Sequence, residues 1–229
     1  MAYPGGKAGS GVYQKIINQI PPHTTYIEPF LGHGAIMLHK RPAACSIGVD
    51  CDMDVIRYWE LEGYGAIAIY GDAISFLKSY EFKGDEFVYN DPPYLWETRK
   101  SKHRIYTAEF GDTDQHKKLL TVLKSLPCMV AISGYQSSLY SSMLATWRTI
   151  SYNTVNRAGD GVQEWLWMNY PEPQALHDYR YLGENFRQRE RLKRIRTNWL
   201  AKLGRMDQLE KYMLMATIAE LGDTARSQK

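Results

Sequence analysis

Apolar and polar positions alternate between two periods along most of this chain. Val12, Ile16, Ile17 and Ile20 recur at helical spacing and predict a helix over 12–20, stopped by Pro21-Pro22. Residues 26–28 read as a short strand, followed by the turn Pro29-Phe30-Leu31-Gly32-His33-Gly34 and a helix over 35–39. The unit then repeats: a strand over 46–49 ending at Asp50, a helix over 55–61, a strand over 66–70 ending at Gly71-Asp72, and a helix over 74–80. A strand over 87–90, a helix over 114–125, a strand over 129–133 and a helix over 139–144 come next. Two strand-like runs, 147–152 and 165–170, are separated by the turn residues Gly159-Asp160-Gly161 and predict a hairpin. Strands alternating with helices define an α/β class: a doubly wound, mostly parallel sheet of seven strands, closed by that hairpin.

Pro171 to Pro173 marks a boundary. Residues 1–171 are expected to form the α/β domain and 172–229 a basic helical tail. In the tail, Leu192, Ile195, Trp199, Leu200 and Leu203 predict a helical run within 174–203, broken at Gly204. Asp207 and Glu210 have the spacing of a capping box opening a second helix, which should stop at Leu221 before Gly222.

With 229 residues, 44% of them hydrophobic, the chain can bury a substantial core. A net charge of +3 means that a polyanionic partner would need a local patch rather than a global field. Cys45, Cys51 and Cys128 are scattered, with no Cys-x-x-Cys pair or Cys/His cluster, so neither disulfides nor a metal site is expected. The start, Met1-Ala2-Tyr3-Pro4, leads into no apolar h-region, and no apolar run approaches spanning length. These features predict a reduced, cytoplasmic protein without membrane association.

The chemistry concentrates in Phe87-Val88-Tyr89-Asn90-Asp91-Pro92-Pro93-Tyr94. An apolar strand ends abruptly, because proline lacks an amide hydrogen and fixes φ. A carboxylate (Asp91), a backbone carbonyl (Pro92) and an aromatic face (Tyr94) are left at the strand's carboxyl end, where ligands bind in open α/β sheets. Such a group can accept hydrogen bonds from an amine while a ring stacks on a flat base.

A second set lies at the preceding strand ends. Gly32 and Gly34 allow close backbone approach at the first strand-to-helix turn. Asp50 ends the second strand, where an acid can accept from two ribose hydroxyls, and Asp72 ends the third, where it can meet an adenine amine or cap the next helix. Gly32-His33-Gly34-Ala35-Ile36-Met37 lacks the third glycine of a dinucleotide fingerprint, and Lys7 is followed by Ala8 rather than the Ser or Thr of a P-loop.

Four stretches together resemble the Dam-type DNA adenine methyltransferases: Tyr3-Pro-Gly-Gly-Lys7, Glu28-Pro-Phe-Leu-Gly-His-Gly34, Asp50-Cys-Asp52 and Asn90-Asp-Pro-Pro-Tyr94. The likeness covers the first 94 residues; beyond them it is mainly one of layout. It implies a Rossmann-like methyltransferase fold with S-adenosyl-L-methionine as methyl donor. Tyr3, Lys7, Glu28, Phe30, Gly32, Gly34, Asp50, Asp72 and Asp91 would then serve the donor, and Asp91, Pro92, Pro93 and Tyr94 the transfer. Family members commonly carry Trp where Tyr3 stands. Phe30 reads equally as a core plug, and Lys7 as a solvated surface lysine. The implied reaction is methylation of the adenine amine in double-stranded DNA on a flipped-out base. Related chemistries are RNA adenine or cytosine amine methylation, although the cytosine enzymes more often carry Ser before Pro-Pro-Tyr. A non-catalytic nucleic-acid-binding protein on the same fold is the alternative of a different class.

The family's usual recognition insertion between the third and fourth strands is missing, since only residues 74–86 lie there. That compactness resembles phage-borne forms and leaves the recognised sequence open. Two basic stretches could substitute. Trp96 to Arg104 combines a ring with Arg99, Lys100, Lys102 and Arg104. The tail carries Arg187, Arg189, Arg191, Lys193, Arg194 and Arg196 against Glu190 alone. A charge run of this kind is either a phosphate-contacting face or a solvated helix surface. The tail's apolar stripe could pack on the catalytic domain or join two copies as a homodimer.

Overall fold

The computed structural model describes Lys7 and residues 11–98, 110–155 and 159–226. It divides the chain into two compact units, Met1–Tyr181 and Leu182–Lys229.

The first unit is built in the order α1 (Val12–Ile17), β1 (Thr25–Glu28), α2 (Ala35–His39), β2 (Cys45–Asp50), α3 (Met53–Glu62), β3 (Ile67–Tyr70), α4 (Ala73–Ser79) and β4 (Glu86–Asn90). It continues with α5 (Thr113–Ser125), β5 (Met129–Gly134), α6 (Ser138–Met143), β6 (Arg148–Val155) and β7 (Gly161–Met168). The strands form one sheet in the order β3-β2-β1-β4-β5-β7-β6. The first five are parallel; β7 runs antiparallel between β5 and β6. This is the doubly wound, mostly parallel seven-stranded sheet, closed by a hairpin, expected from the alternating pattern.

Both faces of the sheet are covered, so its central strands read as unbroken apolar runs rather than alternating ones. Tyr26, Phe87, Tyr89, Leu166 and Met168 point into one core with α1, α2 and α3. Ile27, Val88, Val130, Ile132 and Trp167 point into the other with α4, α5 and α6. Period-two alternation along each strand divides the side chains between the two cores. From β1 the chain winds outward through β2 to β3, then returns to β4 on β1's other side. The crevice at the carboxyl ends of β1 and β4 is therefore the topological switch point, the position where ligands bind in such sheets.

Several boundaries differ from those predicted. The first helix stops at Ile17, and Gln19 and Ile20 close tighter turns onto Ile16 and Ile17. The hairpin ladder runs from Arg148↔Met168 to Val155↔Gly161, so β7 begins and ends earlier than 165–170. Asn169 N still donates to Val130 O at 3.1 Å, but its side chain takes the place of its carbonyl, accepting from Val130 N at 2.8 Å and donating to Cys128 O at 2.9 Å. The first unit also continues beyond the expected boundary at 171. Asp178 accepts from Arg41 N at 2.8 Å, His177 N donates to Ile20 O at 2.9 Å, and Tyr181 OH donates to His39 O at 3.2 Å. These bonds strap 177–181 onto the loops around α1 and α2.

The second unit contains α7 (Phe186–Arg205) and α8 (Gln208–Arg226). The predicted helix from 174 begins only at 186, where Asn185 accepts from Gln188 N at 3.0 Å. Gly204 and Gly222 lie inside the helices instead of ending them. A glycine costs about 1 kcal/mol in a helix, and here the break is set by the capping box. Asp207 N donates to Glu210 Oε2 at 3.2 Å and Glu210 N to Asp207 Oδ1 at 2.9 Å. No described helix is long and apolar enough to cross a membrane.

Candidate active site

All five residues of β4 are buried between β1 and β5, and the two prolines stop the strand, so Asp91 emerges at the centre of the sheet edge. Its carboxylate is 18% exposed. Oδ1 accepts from Ser133 Oγ at 2.7 Å and from Tyr94 OH at 3.3 Å. Lys7 Nζ lies 3.0 Å from the same oxygen. These contacts all fall on Oδ1, so the second oxygen is the one that can face an incoming donor. Ser133 comes from the end of β5 and also lies 3.1 Å from the Tyr89 phenol. Burial pushes that phenol well above its usual range. It therefore keeps its proton and donates to Ser133, which donates to Asp91.

Lys7 is buried at 6% exposure and is not a solvated surface lysine. Its ammonium hydrogen-bonds to Tyr94 OH, lies 4.9 Å from the Tyr94 ring centroid, and sits between Asp91 and Glu164, whose Oε2 is 3.2 Å away. Burial alone would pull the amine down; the two carboxylates more than offset it and hold it well above its usual value. Tyr135 meets Tyr94 edge-on with centroids 4.6 Å apart. The Tyr94 hydroxyl is pushed well up by burial and by Asp91, so it stays protonated.

The described residues just after the motif and just before α5 are held together by side-chain and backbone bonds. His116, fully buried on α5, has Nε2 at 3.1 Å from Pro93 O and 2.8 Å from Phe110 O. Both are carbonyls, which only accept, so Nε2 carries the hydrogen. Nδ1 lies 2.9 Å from Tyr140 OH. Trp96 N donates to Gly111 O at 3.1 Å.

At the end of β1, Gly34 has φ 56°, a left-handed conformation that favours glycine. A Cβ there would meet Trp59 Cζ2 at 2.2 Å. Trp59, from α3, donates to Gly32 O at 2.9 Å and locks the turn. Asp50 accepts from Gly32 N at 2.8 Å and Asp52 N at 2.9 Å, which fixes an acid beside the glycines. Burial raises its pKa, opposed by those amide donors. Glu28 is buried and accepts from Tyr26 OH at 3.0 Å. Burial, reinforced by the Asp91 charge, pushes its carboxyl up to about 8, against the pull of the Tyr26 hydrogen bond. Phe30 packs edge-on to Phe110 at 5.1 Å and against the second core. Asp72 caps α4, accepting from Ser75 N at 2.8 Å, as its capping alternative required.

Tyr3, Arg99, Lys100, Lys102 and Arg104 lie outside the described residues. Arg187, Arg191 and Arg194 are exposed on α7, at three- and four-residue spacings that share one helix face. Ser133, Glu164, His116 and Trp59 were not singled out from the sequence. A polar residue at the end of an apolar run (Ser133) and a lone acid inside a strand (Glu164) were the available signals.

A family model described as D12 class N6 adenine-specific DNA methyltransferase matches residues 71–156. A search of curated proteins finds no match. Among solved structures, a precorrin 8W decarboxylase from Methanobacterium thermoautotrophicum is similar at TM-score 0.48 and 12% identity, covering 72% of this chain and 91% of that one. A dimethyladenosine transferase from Plasmodium falciparum aligns at TM-score 0.46 and 17% identity, over 73% and 63% of the two chains. An rRNA methylase from Streptococcus thermophilus aligns at 0.45 and 10%, over 71% and 95%. The three likenesses concern chain layout only.

Strand order and partial family match support one coarse class, the S-adenosyl-L-methionine-dependent methyltransferases. The residues present fit that donor. Asp50 is a rigid acceptor for a ribose diol beside a turn that admits no Cβ at Gly34. At the next strand end the Asp91 carboxylate supplies an anion, which suits a sulfonium.

Proposed function

We propose that this chain transfers a methyl group from S-adenosyl-L-methionine to the exocyclic amine of adenine in double-stranded DNA, by direct displacement on a flipped-out base. The observation that carries the reading is the Asp91 carboxylate, pinned through one oxygen at the end of β4 beside the Tyr94 ring. The match of 71–156 to an N6 adenine-specific DNA family supports the choice of base and polymer.

An exocyclic amine is a poor nucleophile because its lone pair is delocalised into the ring. Asp91 and the Pro92 carbonyl accept its two hydrogens, draw the nitrogen toward a tetrahedral shape and expose the lone pair. Tyr94 holds the base in line, so that positioning supplies much of the acceleration. Bound S-adenosyl-L-methionine would supply the electrophilic methyl group: the S–CH3 bond breaks as the N–CH3 bond forms, the neutral thioether leaves, and the methylated nitrogen gives up one proton to solvent. Asp50 and the Gly32–Gly34 turn hold its nucleoside end. Flipping the base costs about a few kcal/mol. Phosphate contacts fall to Arg187, Arg191 and Arg194 of α7, and to Arg99, Lys100, Lys102 and Arg104 after the motif.

Expression in a methylation-deficient host, followed by single-molecule sequencing of its DNA, tests the reading. N6-methyladenine in a fixed context is the expected result. Methyl groups only on cytosine or only on RNA would overturn the assigned substrate.

A further inference from the structure

Glu164 is a buried acid in the middle of β7 that the proposed transfer does not use. Its Oε2 is 3.2 Å from Lys7 Nζ, yet has no aligned hydrogen bond among the described residues. Tyr152 faces it directly across the β6–β7 ladder, and its buried hydroxyl is turned toward the Glu164 carboxylate without a well-aligned hydrogen bond among those residues. Lys7 is meanwhile bonded to Tyr94 and paired with Asp91.

This arrangement has a consequence for the target amine. The Lys7 ammonium touches Asp91 Oδ1 and the Tyr94 hydroxyl and lies against the Tyr94 ring. The ammonium leaves the second Asp91 oxygen open but offsets the carboxylate charge that the target amine would meet. Moving it into solvent would strip a buried cation of its partners, at a large cost. Glu164 offers a second anion within reach, and its unaligned oxygen leaves a full charge-assisted hydrogen bond to be formed there.

We propose that Glu164 is a positioning residue that draws the Lys7 ammonium off Asp91, restoring the full charge of that carboxylate for the target amine. The inference rests on the reading of the chain as an amine methyltransferase. It adds no group to the chemistry; Glu164 acts only through Lys7.

The test uses the full-length chain with Glu164→Gln, which keeps the shape and removes the charge, and Glu164→Asp, which keeps the charge but shortens the reach. Methyl transfer from labelled S-adenosyl-L-methionine to unmethylated genomic DNA is measured alongside the 15Nζ resonance of Lys7, assigned by its loss in Lys7→Met. Glu164→Gln should lower kcat by about tenfold or more, as expected for loss of one charge-assisted contact. The KM for the donor should change by less than about twofold. The Lys7 resonance should shift, and Glu164→Asp should recover part of kcat. An unchanged kcat or an unmoved Lys7 resonance in Glu164→Gln overturns the proposal; so does a loss confined to donor KM. Should Glu164→Gln not fold, Glu164→Asp decides through the same two readouts. A parent protein that methylates no nucleic acid would count against the functional reading alone, and the Lys7 resonance would then decide the pairing.

Discussion

Replacing Asp91 by asparagine isolates the charge of the site from its shape. Lys7, Asp91 and Glu164 together carry one net negative charge, two carboxylates against one ammonium. In Asp91→Asn the cluster becomes neutral and Lys7 keeps Glu164 as partner. The amide oxygen can still accept from Ser133, as Oδ1 does now at 2.7 Å. Folding stability should therefore stay within about 1 kcal/mol of the parent. Asp91→Ala is less clean, because it strands the Ser133 hydroxyl at a cost of about 1–3 kcal/mol.

Catalysis should respond differently. With the amide oxygen held by Ser133, the NH2 group faces the target amine, so a donor opposes a donor. A charge-assisted hydrogen bond worth about 1.5–3 kcal/mol is lost. The positive charge that develops on the amine nitrogen also loses its counter-ion, worth about 4 kcal/mol at 4 Å and an effective dielectric of 20. These overlap, and Lys7 already offsets part of the second. A net loss of about 3 kcal/mol corresponds to about two orders of magnitude in kcat. Single-turnover transfer of labelled methyl to unmethylated DNA measures it, with donor binding followed by calorimetry and folding by thermal melting. A variant that melts with the parent and retains kcat within about threefold would refute the assignment of Asp91 to the amine.

Three further outcomes follow from the geometry. Charge reversal at Arg187, Arg191 and Arg194 should weaken binding to all duplexes alike and reduce the slope of log K against log salt by about one per arginine; an unchanged slope removes α7 from the interface. Gly34→Ala places a Cβ 2.2 Å from Trp59 at φ 56° and should cost about 2–4 kcal/mol, read as a lowered melting temperature; no shift would mean that the turn is not held as described. His23, stacked on His177, is pushed down from 6.5 to about 3, chiefly by burial. Between those values the unfolded chain binds a proton that the native state refuses, so stability is lost as pH falls below 6.5. Urea midpoints at about pH 5 and about pH 7 should differ less in His23→Phe than in the parent; equal differences would exclude His23 as the source.

The fold was legible because its signals are local. Apolar runs closed by glycine, proline or aspartate fixed most strands to within a residue or two, and the helices between them implied parallel pairing. Errors arose where a side chain substitutes for backbone pairing, as Asn169 does beside β5, or where a capping box outweighs a glycine, as at Gly204. The prolines and Asp91 were readable because a strand that must stop leaves its next side chain at the sheet edge. Lys7 stood out only by its place in a motif. Its burial and its two carboxylate partners were not accessible from one dimension, since Asp91 follows β4 and Glu164 lies within β7.

Glu164 was hidden for a topological reason. In the parallel β1, β2, β3 and β4 an acid reaches the ligand edge where the strand ends. β7 runs the opposite way, so its beginning lies at the edge where its neighbours finish. The register shows this directly: Gly134, the last residue of β5, pairs with Trp165, and Glu164 is the next residue outward. Met168, at the end of β7, pairs with Ala131, further back along β5. An acid in the fourth position of an antiparallel strand thus reaches the same edge as Ser133 and Asp91. The inserted strand gives the site an anion that a purely parallel sheet would have needed to take from a loop. It also places that anion on a rigid, doubly paired element, where its distance from Lys7 is set by the sheet rather than by loop conformation.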